Sequence, residues 1–261
     1  MSGYANEQAQ ANASSVSEGG AVTNAGAVVG AVDAVTPLPA PTDEELAAIL
    51  AAYNTMSHDL KLFMYIVERH IGENPSLVAN GHHVVHSFKS RLKDADHLRT
   101  KIIRKAAEGK VITINDFYSK VTDLAGVRIL HLFQEHFSEI DAVIRKKVGE
   151  GDWFLAERPK AYTWDPEAVA YFKEFDLEVS EKPTSYTSIH YLVKPREDSK
   201  LCCEIQVRTL FEEIWGEVDH QINYPVPTEN VSVREQIKVL SKIVGAGSRL
   251  LDSLKRVQQA N

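Results

Sequence analysis

Residues 202–208 read Cys-Cys-Glu-Ile-Gln-Val-Arg, an alternation of apolar and polar positions that predicts a strand. Cys203, Ile205 and Val207 fall on one face, and Glu204, Gln206 and Arg208 line up on the other. A strand buried on both faces would be apolar throughout. The polar row therefore reads as a solvated outer face or as the floor of a polar site. Just downstream, Leu210, Phe211, Ile214, Trp215, Val218 and Ile222 recur at helical spacing, with Thr209 as N-cap. Upstream, residues 184–193 predict a second strand, with Tyr186, Ser188 and His190 opposite Ile189, Tyr191 and Val193. Asp123-Leu-Ala-Gly126-Val-Arg128 sets an acid and a base around a glycine where a strand over 127–132 begins.

The same reading covers most of the remaining chain. Thr42-Asp-Glu-Glu45 is a capping box opening a helix to about Ile71. Residues 84–105 are expected to be helical or helix–turn–helix, 115–120 a short helix and 137–149 a longer one. Short strands at 153–155 and 177–179 flank a helix started by Asp165-Pro166 and running to about Phe175. This long connection is a candidate substrate gate. Residues 232–257 form a helix whose apolar stripe, Ile237, Leu240, Ile243, Val244, Leu250, Leu251, Leu254 and Val257, is interrupted by Gly245 and Gly247. Alternating elements predict an α/β (α+β) domain around a mixed sheet of roughly four to six strands.

Residues 1–41 are a different material: rich in Ala, Gly, Ser, Asn and Val, without Lys or Arg, and ending in Pro37-Leu-Pro-Ala-Pro41. Such a segment buries too little to offset its ordering entropy and is expected to be a disordered tail. The expected division is then 1–41 tail, 42–231 domain and 232–261 C-terminal helix. The tail has neither a basic start nor a ~20-residue apolar run, so neither a signal peptide nor a membrane span is expected.

The 261 residues carry 44% apolar and 25% charged residues, the balance of a soluble globular protein. Two adjacent cysteines point to opposite strand faces and cannot bridge, which fits a cytoplasmic location. Net charge is −7, the wrong sign for a dedicated duplex binder. The basic run from Lys89 to Lys110 is either a solvated face or a phosphate cradle. His82, His83 and His86 lack acid or cysteine partners at ligand spacing and read as a turn. His58-Asp59 stands alone within the first helix.

Taken in order, Ser90-Arg91-Leu92-Lys93 with Lys101, Asp123-x-x-Gly126-x-Arg128, Tyr186-x-Ser188-Ile189-His190, Glu204-Ile-Gln-Val-Arg-Thr209, Trp215 and His220 resemble the synthetase domain of RelA/SpoT-type alarmone synthetases, the (p)ppGpp pyrophosphokinases. The resemblance spans residues 57–255. It implies a nucleotidyltransferase-like sheet flanked by helices and Mg²⁺-dependent transfer of a pyrophosphoryl group from ATP to GTP or GDP. Phosphoryl chemistry of this kind asks for a metal on the phosphates, cations on developing charge and an acceptor held in line. Asp123 is expected to hold Mg²⁺, with Glu204 as second ligand or base. Arg91, Lys93, Lys101 and Arg128 match positions that hold ATP. Tyr186 matches the tyrosine on which the acceptor guanine stacks, with His190, Gln206 and Arg208 beside it.

Two positions depart from the family pattern: Ser185 replaces the glycine before the tyrosine and Thr187 the arginine after it. The acceptor is thereby left open among GDP, GTP and the 3′ end of tRNA, the substrate of toxic relatives. A silent nucleotide-binding module on the same fold is the remaining alternative. The resemblance also implies a homo-oligomer, tetramer or dimer, with the C-terminal helix as the contact. No membrane partner is expected.

Overall fold

Glu45 and Thr42 exchange hydrogen bonds in the predicted capping box (Thr42 N to Glu45 Oε2, 2.8 Å), opening helix α1, Asp43–Gly72. The computed structural model describes residues 41–79, 81–182, 185–224 and 226–260. The expected tail, Pro41 aside, lies outside the described residues. Helix α1 buries Ile49, Tyr53, Leu60, Phe63, Val67 and Ile71 along one stripe, as its periodicity demands.

A hairpin of β1 (Val78–Ala79) and β2 (His82–His83) follows, turned by Gly81 at φ 77°. Among the described residues no group of three His, Cys, Asp or Glu could hold a metal ion. The next segment corrects the sequence reading. Residues expected to be helical form strand β3, Val85–Leu92, and only then helix α2, Ala95–Ala107, capped by Asp94. Val84, Phe88 and Leu92 imitate helical spacing, but a ladder from Val85 to Leu92 pairs this stretch with β4, Ala125–His131. Tertiary pairing overrides a local pattern here.

Helix α3 (Phe117–Lys120) leads into β4, and α4 (Phe137–Gly149) follows it as expected. The long connection that follows α4 contributes strands to the sheet. It supplies β5 (Phe154–Leu155), the unanticipated β6 (Lys160–Thr163), helix α5 (Pro166–Phe172) and β7 (Glu178–Glu181). Strands β8 (Ser188–Lys194) and β9 (Cys203–Thr209) precede α6 (Leu210–Asn223) and α7 (Val231–Gln259). Tyr186, expected on the strand, lies just before it.

Among the described residues the sheet has seven strands, more than expected, in the order β3-β4-β9-β8-β6-β7, with β5 also on β8. β4–β9 and β6–β7 are parallel and the other pairs antiparallel, so the sheet is mixed. Its apolar face, including Val127, Ile129, Ile189, Tyr191, Cys203, Ile205 and Val207, joins one core cluster with α1, α2 and α4. Helices α6 and α7 pair through Trp215, Ile237 and Val244, and Trp215 Nε1 donates to the Ile237 carbonyl at 3.2 Å. A Cβ at Gly247 would meet the Phe211 ring at 3.0 Å, so a glycine is what lets these helices approach. Among the described residues no helix is long and apolar enough to cross a membrane.

At the end of β4, His131 is 1% exposed and its Nδ1 meets the Phe133 carbonyl at 2.8 Å. Burial pushes its pKa down to about 4. Above the unfolded value of about 6.5 the ring is neutral in both states and has no effect. As pH falls from about 6.5 to about 4, only the unfolded chain binds this proton, so stability drops by up to about 3 kcal/mol. NMR titration should find the His131 ring still neutral at pH 5; titration near its ordinary value would refute the assignment.

Candidate active site

The polar floor follows from register. Gly126 of β4 lies opposite Glu204 of β9, and Arg128 opposite Gln206. On the other side of β4, Arg91 of β3 pairs with Gly126, and Lys89 with Arg128. His190 of β8 faces Gln206 from the far side of β9. Side-chain alternation thus gathers charges from four strands on one sheet face. Helix α6 stands over that face and leaves a cavity of about 560 Å³ between. Gly126 keeps the middle of the floor low, since it adds no side chain between Arg91 and Glu204.

Asp123 enters from the loop before β4. Its Oδ1 accepts from Lys101 Nζ and its Oδ2 from Lys93 Nζ, both at 2.7 Å. Burial pushes the Asp123 carboxyl up, but the two lysines outweigh it and hold the group below its ordinary range. Lys93 is itself fixed: its amide donates to the Leu124 carbonyl at 2.8 Å, and its own carbonyl accepts from Tyr53 of α1.

Glu204 sits in a second network. His190 Nδ1 contacts Glu204 Oε1 at 2.8 Å, and Gln206 Nε2 donates to Oε2 at 2.8 Å. Burial raises this carboxyl, yet the His190 and Gln206 bonds keep it ionised below its usual range. With the His190 proton on Nδ1, Nε2 accepts from the Tyr186 hydroxyl at 3.0 Å. Arg208 Nη2 donates to that same hydroxyl at 2.8 Å and to Gln206 Oε1 at 3.0 Å, and its guanidinium lies 5.1 Å over the Tyr186 ring. Thr187, where an arginine is usual, is buried against Thr163 Oγ1 at 3.1 Å. Arg208 is therefore the cation that accompanies Tyr186.

A third network was not foreseen. Glu213 of α6, with a side chain only 5% exposed, receives Lys89 at 2.7 Å, Arg128 at 2.8 Å and Arg208 at 3.2 Å. One turn on, Glu217 Oε1 is 3.2 Å from both Lys89 Nζ and Arg128 Nη1. Burial raises the Glu213 carboxyl and the Lys89 and Arg128 bonds more than reverse it. The sequence signal was present: Glu213 and Glu217 are one turn apart on a helix that follows the basic strand faces. Gly216 makes room beneath them, since a Cβ there would meet Arg208 Nη1 at 2.9 Å.

Of the residues singled out from sequence, Arg91, Asp123, Arg128, Tyr186, Glu204, Gln206 and Arg208 line the cavity. Lys93 and Lys101 stand behind Asp123, and His190 behind Tyr186 and Glu204. Trp215 and His220 also border it, with His220 stacked on Tyr224 at 4.6 Å.

Comparison with known proteins finds a sequence relative, a matching family and solved structures of the same fold. A curated relative, GTP pyrophosphokinase YwaC of Bacillus subtilis (strain 168), is 25% identical over 150 residues, covering 56% of this chain. The match spans 61% of the relative's own length. A GTP pyrophosphokinase family protein from Streptococcus pneumoniae superposes with a TM-score of 0.56 at 18% identity, over 84% of this chain and 97% of that one. Small alarmone synthetase 1 of Bacillus subtilis gives 0.54 at 17% identity, over 84% of this chain and 100% of that one. The same synthetase bound to its product pppGpp gives 0.52 at 20% identity, over 84% and 98%. These structures share the fold, the mixed sheet with its flanking helices. Residues 90–229, more than half of the chain, match the family described as the region found in RelA / SpoT proteins, and the chain belongs to that family.

Proposed function

We propose that the chain is a pyrophosphokinase that moves the β,γ-pyrophosphoryl group of ATP onto the 3′-hydroxyl of GTP or GDP, making (p)ppGpp. The observation that carries the reading is the convergence of Asp123, Glu204, Arg91, Arg128 and Tyr186 on one cavity. The acceptor oxygen attacks the β-phosphorus, the bond to the α,β-bridging oxygen breaks, and AMP departs with that oxygen and its electron pair. Glu204, ionised and anchored by His190 and Gln206, takes the hydroxyl proton. Arg91 and Arg128 hold the donor, and Tyr186, locked by His190 and Arg208, offers its ring to the acceptor base.

The carboxylates suit Mg²⁺, a hard cation that usually takes one or two protein carboxylates and completes its shell with water and phosphate. Asp123 and Glu204 border the same cavity, and the charge of Asp123 pushes the Glu204 carboxyl upward, a repulsion that a cation between them would relieve. A bound Mg²⁺ would neutralise charge on the phosphates. Lys93 and Lys101 then keep Asp123 ionised and oriented.

Self-association is the second part of the reading. Helix α7 packs on α6 through one stripe and exposes another, with Ile243 61%, Leu250 61% and Leu254 57% exposed. Exposed apolar rows of this extent mark contact surfaces, and a homodimer or homotetramer through α7 would cover them.

Incubation with γ-labelled ATP and GDP, GTP or deacylated tRNA should move label to the guanine nucleotides. Transfer to tRNA alone would replace the acceptor, and label in none would leave a silent module. Asp123→Asn and Glu204→Gln should each lower kcat roughly 10²- to 10⁴-fold with an unchanged circular-dichroism spectrum; normal turnover in both would overturn their assignment. Tyr186→Ala should raise the acceptor KM roughly 5- to 100-fold and spare ATP, while Tyr186→Phe keeps the stack and most of the affinity. An effect on ATP alone would place the acceptor elsewhere. Glu at both Leu250 and Leu254 should dissociate the protein without unfolding it, read by light scattering beside circular dichroism; a wild-type monomer would refute the contact.

A further inference from the structure

Glu213 and Glu217 touch the same two cations but differ in kind. Glu213 is buried, puts both oxygens on Arg128 Nη1 at 2.8 and 3.0 Å, and also serves Lys89 and Arg208. It is a structural counter-ion whose removal would leave several charges unpaired. Glu217 is 47% exposed and offers one oxygen, shared at 3.2 Å by Lys89 Nζ and Arg128 Nη1. Glu217, Lys89 and Arg128 all border the cavity. The contact reaches from α6 to the edge strand β3, so it ties the cavity's wall to its floor.

We propose that Glu217 is a resident anion on the phosphate-binding cations, which gives them up when the donor's phosphates arrive and thereby sets the donor's affinity. The inference rests on the pyrophosphokinase reading and adds a residue to it. Three physical points support it. Half-exposed ion pairs are weak, so Glu217 leaves at little cost. Lys89 and Arg128 remain paired to Glu213 after it leaves, so no buried charge is stranded. Phosphate oxygens make shorter and stronger charge-assisted bonds to guanidinium than a shared carboxylate oxygen at 3.2 Å does. The displaced carboxylate stays on the wall beside a polyanion, so wild-type affinity is held below what the cations alone would give.

The test is calorimetric titration of the full chain with AMPCPP and Mg²⁺. Glu217→Gln should tighten binding roughly 3- to 10-fold, and the gain should shrink as salt screens the half-exposed charge. In a Lys89→Met background the same substitution should give a smaller gain, because half of the contact has gone. Unchanged or weaker binding in Glu217→Gln would overturn the proposal and make Glu217 a bystander or a support for Arg128. Failure of the wild-type chain to bind AMPCPP would overturn the pyrophosphokinase reading, and this inference with it. The two failures are therefore distinct.

Discussion

A carboxylate buried among three cations holds this site together. Glu213 on α6 faces Lys89 from β3, Arg128 from β4 and Arg208 from β9, all within 3.2 Å. Burying an acid costs several kcal/mol unless it is paired and hydrogen-bonded, and here the partners come from three strands. The helix is thereby fixed over the polar face of the sheet, and the cations are fixed in turn. Repulsion among Lys89, Arg128 and Arg208 would otherwise splay them into solvent.

From that clamp the two halves of the cavity follow. On one side Asp123 is held by Lys93 and Lys101, whose positions depend on the turn from β3 into α2. On the other, Glu204, His190, Tyr186 and Arg208 form a continuous hydrogen-bonded chain. Arg208 belongs to both the chain and the clamp, so the orientation of the tyrosine ring is linked to the docking of α6. Asp123 and Glu204 are each lowered by specific donors against the raising effect of burial, which keeps both charged for work on phosphates.

Close packing carries the same helix from behind. Gly247 allows Phe211 to lie against α7, and Trp215 ties α6 to the Ile237 carbonyl. The sheet's other face is a broad apolar core shared with α1, α2 and α4. The site therefore stands on a rigid floor and under a helix that is supported on both of its sides.

The alternation of residues 202–208 was sufficient to place Glu204, Gln206 and Arg208 together, because strand period is a local property and both faces of β9 obey it. The Thr42 and Thr209 caps were equally legible, since a capping box closes within four residues. Helix α4 and the glycine interruptions of α7 were local in the same sense. The structure alone decided that residues 85–92 are a strand, that β6 joins the sheet, and that Glu213 and Glu217 answer Lys89 and Arg128 from more than eighty positions away. Periodicity along the chain says which side chains share a face. It does not say which faces meet, because that depends on burial and charge pairing between segments distant in sequence, and those energies exist only after the chain has folded.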